Sequence, residues 1–337
     1  MKDAIASVVA GHDLDAQSMQ RAMELILGGV ATQAQMAALL VALRMKGETA
    51  TEIAAAARTM RKHCVRVEPA ATPVLVDTCG TGGDGGQTFN ISTAAAIVVA
   101  AAGVPVAKHG NRAATSRAGS ADVLEALGVK IELPAERIAR CIDEVGIGFM
   151  FARAHHPAMR HVGPVRSEIG VRTLFNFLGP LANPAGATHQ VIGVSDKRLL
   201  QTLAEVLGLL GGRRAWVVHG HGGLDEVALS GPTAVARLDQ GQVSLAEISP
   251  EDFGVATQPD ADLRGGDALD NAALLRCIFA GELGARREAV VINAAVALHV
   301  AGAGQTLQQA AQRAAAAIDT GAAARKLAAW VAFCNAG

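Results

Sequence analysis

The stretch VLVDTCGTGGDGGQTFNISTAAAIVVAAAGVPVA, residues 74–107, decides the fold class. The short runs VLVD and VPVA predict buried strands, and the small apolar residues from Thr93 to Gly103 predict a helix between them. Glycine-rich loops between a strand and a helix usually bind phosphate, because backbone N–H groups and the helix N-terminus attract anions. The stretch therefore predicts an anion site, although Asp84 puts a carboxylate into the loop.

The same alternation continues along the chain. The runs IGFMFA, HQVIGVS and AWVVHG predict further strands, and SADVLEALG, PAERIARCIDEVG and DKRLLQTLAEVLGLLGG predict helices between them. This order indicates an α/β fold with a mainly parallel central sheet flanked by helices, with binding loops at the carboxyl ends of the strands. Residues 1 to about 65 predict an all-helical segment, with capping boxes at Thr32 with Gln35 and at Thr49 with Glu52 and helix ends at Gly28 and Gly47. The last third, rich in alanine, predicts helices.

Composition limits the class of protein. The chain has 337 residues, half of them apolar, and a net charge of -1, which argues against sequence-independent binding of nucleic acid through many Lys and Arg. Its 5 cysteines lack C-x-x-C spacing, which suggests reduced thiols in a cytoplasmic protein. The N-terminus predicts a first helix rather than a signal peptide, and the apolar run from Ala94 to Ala107 is shorter than the roughly 20 residues of a membrane span.

The glycine loop has several possible ligands. Gly80, Gly82 and Gly85 satisfy G-x-G-x-x-G, but no acidic residue follows at the distance that a dinucleotide site needs, and no Lys-Ser or Lys-Thr completes a P-loop. A purely structural turn is the other alternative. The carboxylate becomes understandable if the phosphate arrives with magnesium, which prefers oxygen ligands. Asn90, Ser92 and Thr93 then supply a helix cap and hydroxyl ligands together, or serve as caps alone.

Two further loops follow predicted strands. KHGNRAATSRAGS, residues 108–120, predicts a second anion-binding loop, with a solvated basic loop as the alternative. In HGGLDEVALSG, Asp225 and Glu226 stand side by side and could form either a magnesium pair or an exposed turn. His155 and His156 lack partners at zinc spacing, so we expect a structural role for them.

Four long motifs in this order resemble the anthranilate phosphoribosyltransferases, over nearly the whole chain. They are DTCGTGGDGGQTFNIST, AKHGNRAATSRAGSADVLEALGV, FARAHHPAMRHVGPVRSEIGVRTLFNFLGPLANP and HGHGGLDEVALSGPT. The resemblance implies a small helical domain of residues 1–70 plus about 163–186, which forms a homodimer, and a large α/β domain of residues 71–162 plus 187–337. It further implies that the active site lies in the cleft between the domains.

The resemblance also assigns site residues. Those around phosphoribosyl pyrophosphate (PRPP) would be Gly80, Gly83, Asp84, Thr88, Asn90, Ser92, Thr93, Lys108, Asn111, Ser116 and Ser120. Those around anthranilate would be Gly80, His109, Asn111, Arg166 and Pro180. Ser92, Asp225 and Glu226 would hold magnesium, with two ions per active site.

The implied reaction joins the anthranilate amine to the anomeric carbon of PRPP and releases pyrophosphate, as a step of tryptophan biosynthesis. We expect inversion through an oxocarbenium-like transition state, with electrostatic and positional catalysis and no obligatory general base. The alternatives are a pyrimidine nucleoside phosphorylase and a non-catalytic, nucleic-acid-binding relative of the same fold. The near-neutral charge argues against the latter, and nothing in the sequence predicts a membrane or nucleic-acid partner.

Overall fold

A computed structural model describes residues 1–70, 72–82, 88–113 and 116–336. The chain begins with four helices, which are α1 (Lys2–Val9), α2 (Ala16–Leu27), α3 (Gln33–Lys46) and α4 (Ala50–Lys62). Both predicted capping boxes are present, at Thr32 before α3 and at Thr49 before α4. Gly28 and Gly47 end α2 and α3 as predicted. Local hydrogen bonding therefore determines where these helices begin and end.

A seven-stranded sheet forms the centre of the described chain, in the order β3-β2-β1-β4-β5-β6-β7. Its strands are β1 (Val76–Gly80), β2 (Val106–Gly110), β3 (Ile147–Phe151), β4 (His189–Gly193), β5 (Arg214–His219), β6 (Thr233–Asp239) and β7 (Gln242–Ile248). Strands β1 to β5 pair in parallel, and β6 and β7 are antiparallel. The prediction of a mainly parallel sheet is confirmed. The sequence patterns do not predict the β6–β7 hairpin, which turns at Gln240 and Gly241 with φ values of 47° and 84°, as in a tight hairpin turn.

Helices cover both faces of the sheet. They are α5 (Ile91–Ala101), α6 (Ser120–Ala126), α7 (Ala135–Val145), α11 (Leu199–Leu209), α12 (Ala268–Phe279), α13 (Ala285–Val300), α14 (Leu307–Asp319) and α15 (Ala322–Asn335). Adjacent residues of β5 alternate between the two cores: Trp216 and Val218 pack in the cluster with α5 and α13, whereas Val217 packs in the cluster with α4 and α11. This alternation follows from the twofold side-chain period of a strand.

Between β3 and β4 the chain leaves the sheet. It forms α8 (Ala152–His155), a 3₁₀ turn (Pro157–His161), α9 (Gly163–Ile169) and α10 (Phe175–Leu181). Val165 of α9 and Phe177 of α10 share an apolar cluster with Leu40 and Ile53 of the N-terminal helices. The segment therefore packs on the helical bundle before the chain returns to β4.

No helix in the described ranges is long and apolar enough to cross a membrane.

Candidate active site

The carboxyl ends of β1, β4 and β5 bring three loops together. A Cβ atom on Gly80, the last residue of β1, would overlap the carboxylate of Asp225, and one on Gly193 at the end of β4 would overlap the backbone carbonyl of Asp225. On Gly220, a Cβ would lie 2.5 Å from the carbonyl oxygen of Glu226. These glycines let the segment after β5 lie directly against the end of the sheet.

The acidic pair contacts the beginning and the end of the glycine loop. The backbone N–H of Gly82 donates to Oδ2 of Asp225 at 2.9 Å, and the N–H of Ser92 donates to Oε1 of Glu226 at 3.1 Å. The three residues expected to hold magnesium, Ser92, Asp225 and Glu226, are thus brought together from two distant segments.

The donor chemistry of this cluster fits magnesium. Two carboxylates and a hydroxyl are hard oxygen ligands. The described ranges contain no cluster of three or more His, Cys, Asp or Glu side chains placed to hold a metal. Magnesium binds in many sites through one or two carboxylates plus substrate phosphates and water, so a two-carboxylate set suits a cation that arrives with pyrophosphate.

The far side of the glycine loop runs into α5. Asn90 accepts a 2.9 Å hydrogen bond from Nδ2 of Asn271 and donates to the carbonyl of Ala118 at 3.2 Å. The prediction that the side chains of Asn90, Ser92 and Thr93 cap the helix is wrong. Helix α5 begins at Ile91 after Asn90, whose side chain makes no capping hydrogen bond, and Ser92 and Thr93 lie in the first turn. Within the described chain, the buried hydroxyl of Thr93 has no hydrogen-bond partner.

Thr88 forms an isolated bridge with Arg264, which ties the end of the glycine loop to the segment before α12. Gly83 and Asp84 lie outside the described residues, so their roles stay predictions.

The second predicted anion loop follows β2. Lys108 is 2% exposed and its ammonium donates to the carbonyl of Thr78 at 2.6 Å. Arg112 forms ion pairs with Asp122 and Glu125 at 2.9 and 2.5 Å. Lys108 is therefore buried against β1, and Arg112, whose side chain is 35% exposed, is paired with two carboxylates of α6.

The remaining polar groups of this loop lie near the start of α6. The Ser120 hydroxyl donates to the carbonyl of Asn111 at 3.3 Å, and Ser116 is half-buried. A Cβ on Gly110 would overlap Ser120, and one on Gly119 would overlap the backbone of Ala113. Glycine at both positions therefore allows the loop to fold back on the helix.

Asp77, a buried carboxylate on β1, holds the end of the neighbouring strand β2. Asp77 is fully buried and accepts hydrogen bonds from the backbone N–H of His109 at 3.1 Å and from Nδ2 of Asn183 at 2.7 Å. Burial raises the pKa of Asp77, and burial lowers the pKa of Lys108, while the attraction between the two opposes both shifts. The role of Asn183 was not predicted, although it lies in the quoted segment LANP.

His109 and His156 form a chain of hydrogen bonds. Nδ1 of His109 lies 3.0 Å from the carbonyl of Gly179, and Nε2 of His109 lies 3.2 Å from Nε2 of His156. Because a carbonyl only accepts, Nδ1 of His109 carries hydrogen, and in the neutral ring Nε2 accepts from His156. Burial, followed by the neighbouring His156, lowers the pKa of His109 to about 3. Burial, followed by His155, lowers that of His156 to about 4.

The His109 ring lies beside the segment that carries Pro180, another residue predicted to bind anthranilate. Gly179 precedes Pro180, a buried residue whose carbonyl accepts from Nε2 of Gln190 at 2.9 Å. His155 binds the carbonyl of Val65 at 2.8 Å, which fits the structural role expected for it. The His109 ring thus joins the end of β2 to α10, which carries Pro180.

Two arginines come from the segment around α9. Arg166 is half-buried, and burial together with the charge of Arg172 lowers its pKa. The guanidinium of Arg172 donates to the carbonyls of Gly82 at 2.9 Å and Thr81 at 3.3 Å. Arg172 was missed because its contact joins residues 90 positions apart, and a single arginine in a loop carries no local signal. The helical segment and the glycine loop are thus linked directly.

Comparison with known proteins agrees with this architecture. Residues 72–324 match the model described as "Glycosyl transferase family, a/b domain", and residues 2–64 match "Glycosyl transferase family, helical bundle domain". An anthranilate phosphoribosyltransferase of Moorella thermoacetica is 55% identical, over 99% of this chain and 98% of that protein. The enzyme of Symbiobacterium thermophilum is 52% identical, over 97% of this chain and 96% of that protein.

Solved structures are also similar. A crystal structure of anthranilate phosphoribosyltransferase from Thermus thermophilus has a TM-score of 0.94 and 45% identity, covering 99% of this chain and 100% of that one. The enzyme of Saccharomyces cerevisiae in complex with PRPP and Mg has a TM-score of 0.86 and 28% identity, over 95% and 93% of the two chains. With the matched fold, the identity and this coverage, the chain belongs to the anthranilate phosphoribosyltransferase family.

Proposed function

We propose that this protein transfers the phosphoribosyl group from PRPP to the amine of anthranilate, giving N-(5-phosphoribosyl)anthranilate and pyrophosphate in tryptophan biosynthesis. The observation that carries the proposal is the contact between the acidic pair and the glycine loop. Asp225 meets Gly82, and Glu226 meets Ser92. This arrangement joins phosphate-binding backbone to cation-binding carboxylates, which the transfer from a magnesium pyrophosphate ester requires.

We assign the PRPP side of the site to the two loops that follow β1 and β2. Backbone N–H groups of the glycine loop and the start of α5 attract the pyrophosphate. The residues proposed for this role are Gly80, Gly83, Asp84, Thr88, Asn90, Ser92, Thr93, Lys108, Asn111, Ser116 and Ser120. The buried hydroxyl of Thr93 supports this assignment, since a phosphate oxygen would satisfy it.

We assign the magnesium site to Ser92, Asp225 and Glu226, for two ions in each active site. Magnesium bound there would neutralise charge that develops on the pyrophosphate leaving group. The protein contributes by holding both carboxylates at the end of the sheet before the substrate arrives.

The anthranilate side would use Gly80, His109, Asn111, Arg166 and Pro180. A guanidinium binds a carboxylate with two parallel hydrogen bonds, so Arg166 would orient the acid group of the substrate. The low pKa values of His109 and His156 keep both rings neutral at physiological pH. Such low pKa values also make both rings weak bases, so they would line the path of the aromatic ring rather than take the proton that the amine loses.

Catalysis is then mainly positional. Holding the amine in line with the anomeric carbon replaces a bimolecular encounter, and donors aimed at the leaving group stabilise its charge. An aryl amine needs no deprotonation before attack, and a pyrophosphate oxygen is basic enough to accept the proton afterwards. No side chain has to act as a general base in this scheme.

The test is the fluorescence of anthranilate mixed with the purified protein and PRPP, with and without magnesium. We expect a magnesium-dependent loss of fluorescence. No loss with folded protein would contradict the proposal. Phosphorolysis of thymidine or uridine would then indicate a nucleoside phosphorylase, and a salt-dependent shift of single-stranded DNA would indicate a nucleic-acid-binding relative.

We further propose a homodimer formed through the small helical domain. Val41 and Met45 are 36% and 83% exposed and lie one turn apart on the same face of α3, and Val9 of α1 is 71% exposed. The exposed apolar side chains of Val41 and Met45 on one face of α3 support an interface at this helix. Sedimentation of the parent protein and of Met45→Glu tests it, because the charge should shift the dimer towards monomer.

The division into residues 1–70 plus 163–186 and 71–162 plus 187–337, and a cytoplasmic location, belong to the same proposal. The packing of α9 and α10 on the N-terminal helices supports grouping residues 163–186 with residues 1–70, and the same apolar cluster continues into α11 and the sheet. The scattered, free cysteines support a reducing compartment.

A further inference from the structure

Asn293, in the middle of α13, binds both backbone groups of a single residue in the acidic segment. Its Oδ1 accepts from the N–H of Val227 at 2.9 Å, and its Nδ2 donates to the carbonyl of Val227 at 3.0 Å. The side chain is 4% exposed. Nδ2 also donates to the carbonyl of Ala289 one turn earlier at 2.9 Å, which holds the amide in one orientation.

Val227 directly follows Glu226, so these bonds determine where the backbone leaves the acidic pair. On the other side, Gly193 and Gly220 lie against the carbonyls of Asp225 and Glu226, as their blocked Cβ positions indicate. The acidic segment is therefore held between the end of the sheet and α13. Asn293 lines the same cavity as Ser92 and Glu226, at the proposed metal site.

We propose that Asn293 is a positioning residue for the acidic pair, which sets how Asp225 and Glu226 face the divalent cation that accompanies pyrophosphate. The inference rests on the proposed magnesium-dependent function and adds to it a residue outside the loops that follow β1, β2 and β5. Groups that orient metal ligands typically change metal affinity about 10- to 100-fold when they are removed. The Asn293 amide thus acts on the acidic pair indirectly, through its hydrogen bonds to the backbone of Val227.

A residue that only stabilises the fold would behave differently. Its loss would lower the melting temperature and leave the cation affinity of the folded protein unchanged. Leu298→Ala supplies this comparison, because Leu298 is fully buried on the same helix and packs in the apolar core.

The experiment measures Mn²⁺ binding by electron paramagnetic resonance in the presence of PRPP, for the parent protein, Asn293→Leu and Leu298→Ala. Leucine keeps the branched shape of the side chain, with a somewhat larger volume, and removes all three hydrogen bonds. We expect Mn²⁺ binding to weaken about 10- to 100-fold in Asn293→Leu and to stay within about twofold in Leu298→Ala. The KM for anthranilate should stay near the parent value in both. Equal Mn²⁺ affinity in all three proteins, or equal weakening in both variants, overturns the inference.

If Asn293→Leu does not fold, hydrogen exchange of the parent protein, resolved to single residues, decides the question. The Val227 amide should exchange more slowly than that of Gly222 in the preceding turn, and equal rates overturn the inference. A parent protein that binds Mn²⁺ with PRPP but leaves anthranilate unchanged would contradict the transferase and leave the role of Asn293 standing. A parent protein that binds no Mn²⁺ with PRPP overturns both.

Discussion

The backbone N–H of Gly82 donates to Oδ2 of Asp225 at 2.9 Å, although the two residues are 143 positions apart in the chain. This bond joins the start of the glycine loop to the acidic pair. It depends on the close approach of the acidic segment to Gly80 and Gly193, which carry no Cβ atom.

Gly193→Ala should therefore damage the site more than Gly80→Ala. At Gly193 the new methyl group meets the backbone of Asp225, which has to move, whereas at Gly80 it meets a carboxylate that can rotate. We expect Gly193→Ala to lower both the melting temperature and the affinity for magnesium, and Gly80→Ala to lower mainly the affinity. Gly163→Ala is the control, since a Cβ there has no atom within 4 Å. Similar magnesium affinity in all three variants would show that the close approach is unimportant.

Removing the charges of the acidic pair should weaken the response to magnesium. In Asp225→Asn with Glu226→Gln, amide oxygens can still accept from Gly82 and Ser92, so the fold should persist while two anionic ligands are lost. We expect a higher half-saturating magnesium concentration and a lower kcat, measured by titrating the rate with magnesium. Glu247→Gln, at an exposed position of β7, is the control. An unchanged titration of the double variant would remove the pair from the metal site.

Arg166→Ala should raise the KM for anthranilate far more than that for PRPP. A charge-assisted hydrogen-bonded pair contributes about 1.5–3 kcal/mol, which corresponds to roughly 10- to 100-fold in affinity. Lysine at this position should restore little, because it cannot bind a carboxylate with two parallel bonds. Steady-state kinetics with each substrate varied in turn tests this, with exposed Arg140→Ala as the control. Equal effects on both KM values would contradict the assignment.

Acid should destabilise the protein through the buried His109–His156 pair. The folded-state pKa values are about 3 and about 4, below the usual 6.5, so the unfolded chain binds these protons first as the pH falls. The stabilisation is complete above about pH 6.5 and is lost as the pH falls towards 4, by about 2 kcal/mol for each ring at pH 5.

The measurement is urea unfolding at pH 7 and pH 5 for the parent protein and His156→Asn. The variant should lose less stability between the two pH values, because one buried ring no longer resists protonation. Exposed His12→Asn is the control. The same pH dependence in His156→Asn and the parent protein would contradict the role of the pair.

Local patterns were enough to predict much of the fold. The capping boxes at Thr32 and Thr49 use hydrogen bonds within four residues. Strands β1 to β5 are recognisable as short apolar runs, because strands of a parallel sheet are buried on both faces. The β6–β7 hairpin escaped prediction because β7 is mostly exposed at the sheet edge and lacks a continuous apolar pattern.

The candidate site divides in the same way. The ligand types proposed for it come from the glycine loop and from adjacent Asp225 and Glu226 in the sequence, since phosphate and magnesium each favour particular chemical groups. The internal partners of Lys108 and Arg112 could not be predicted, because Thr78, Asp122 and Glu125 meet them only after the strands and helices pack.

The sequence by itself determined the alternation of strands and helices from β1 to β5, the glycine-rich character of the first loop and the family resemblance, because these depend on neighbouring residues and on side-chain chemistry. Only the tertiary structure decided that Asp225 meets Gly82, that Arg172 reaches the same loop and that Asn293 holds Val227. The physical reason is that hydrogen bonds between distant segments form where packing of the apolar cores places their atoms, and no local pattern encodes that placement.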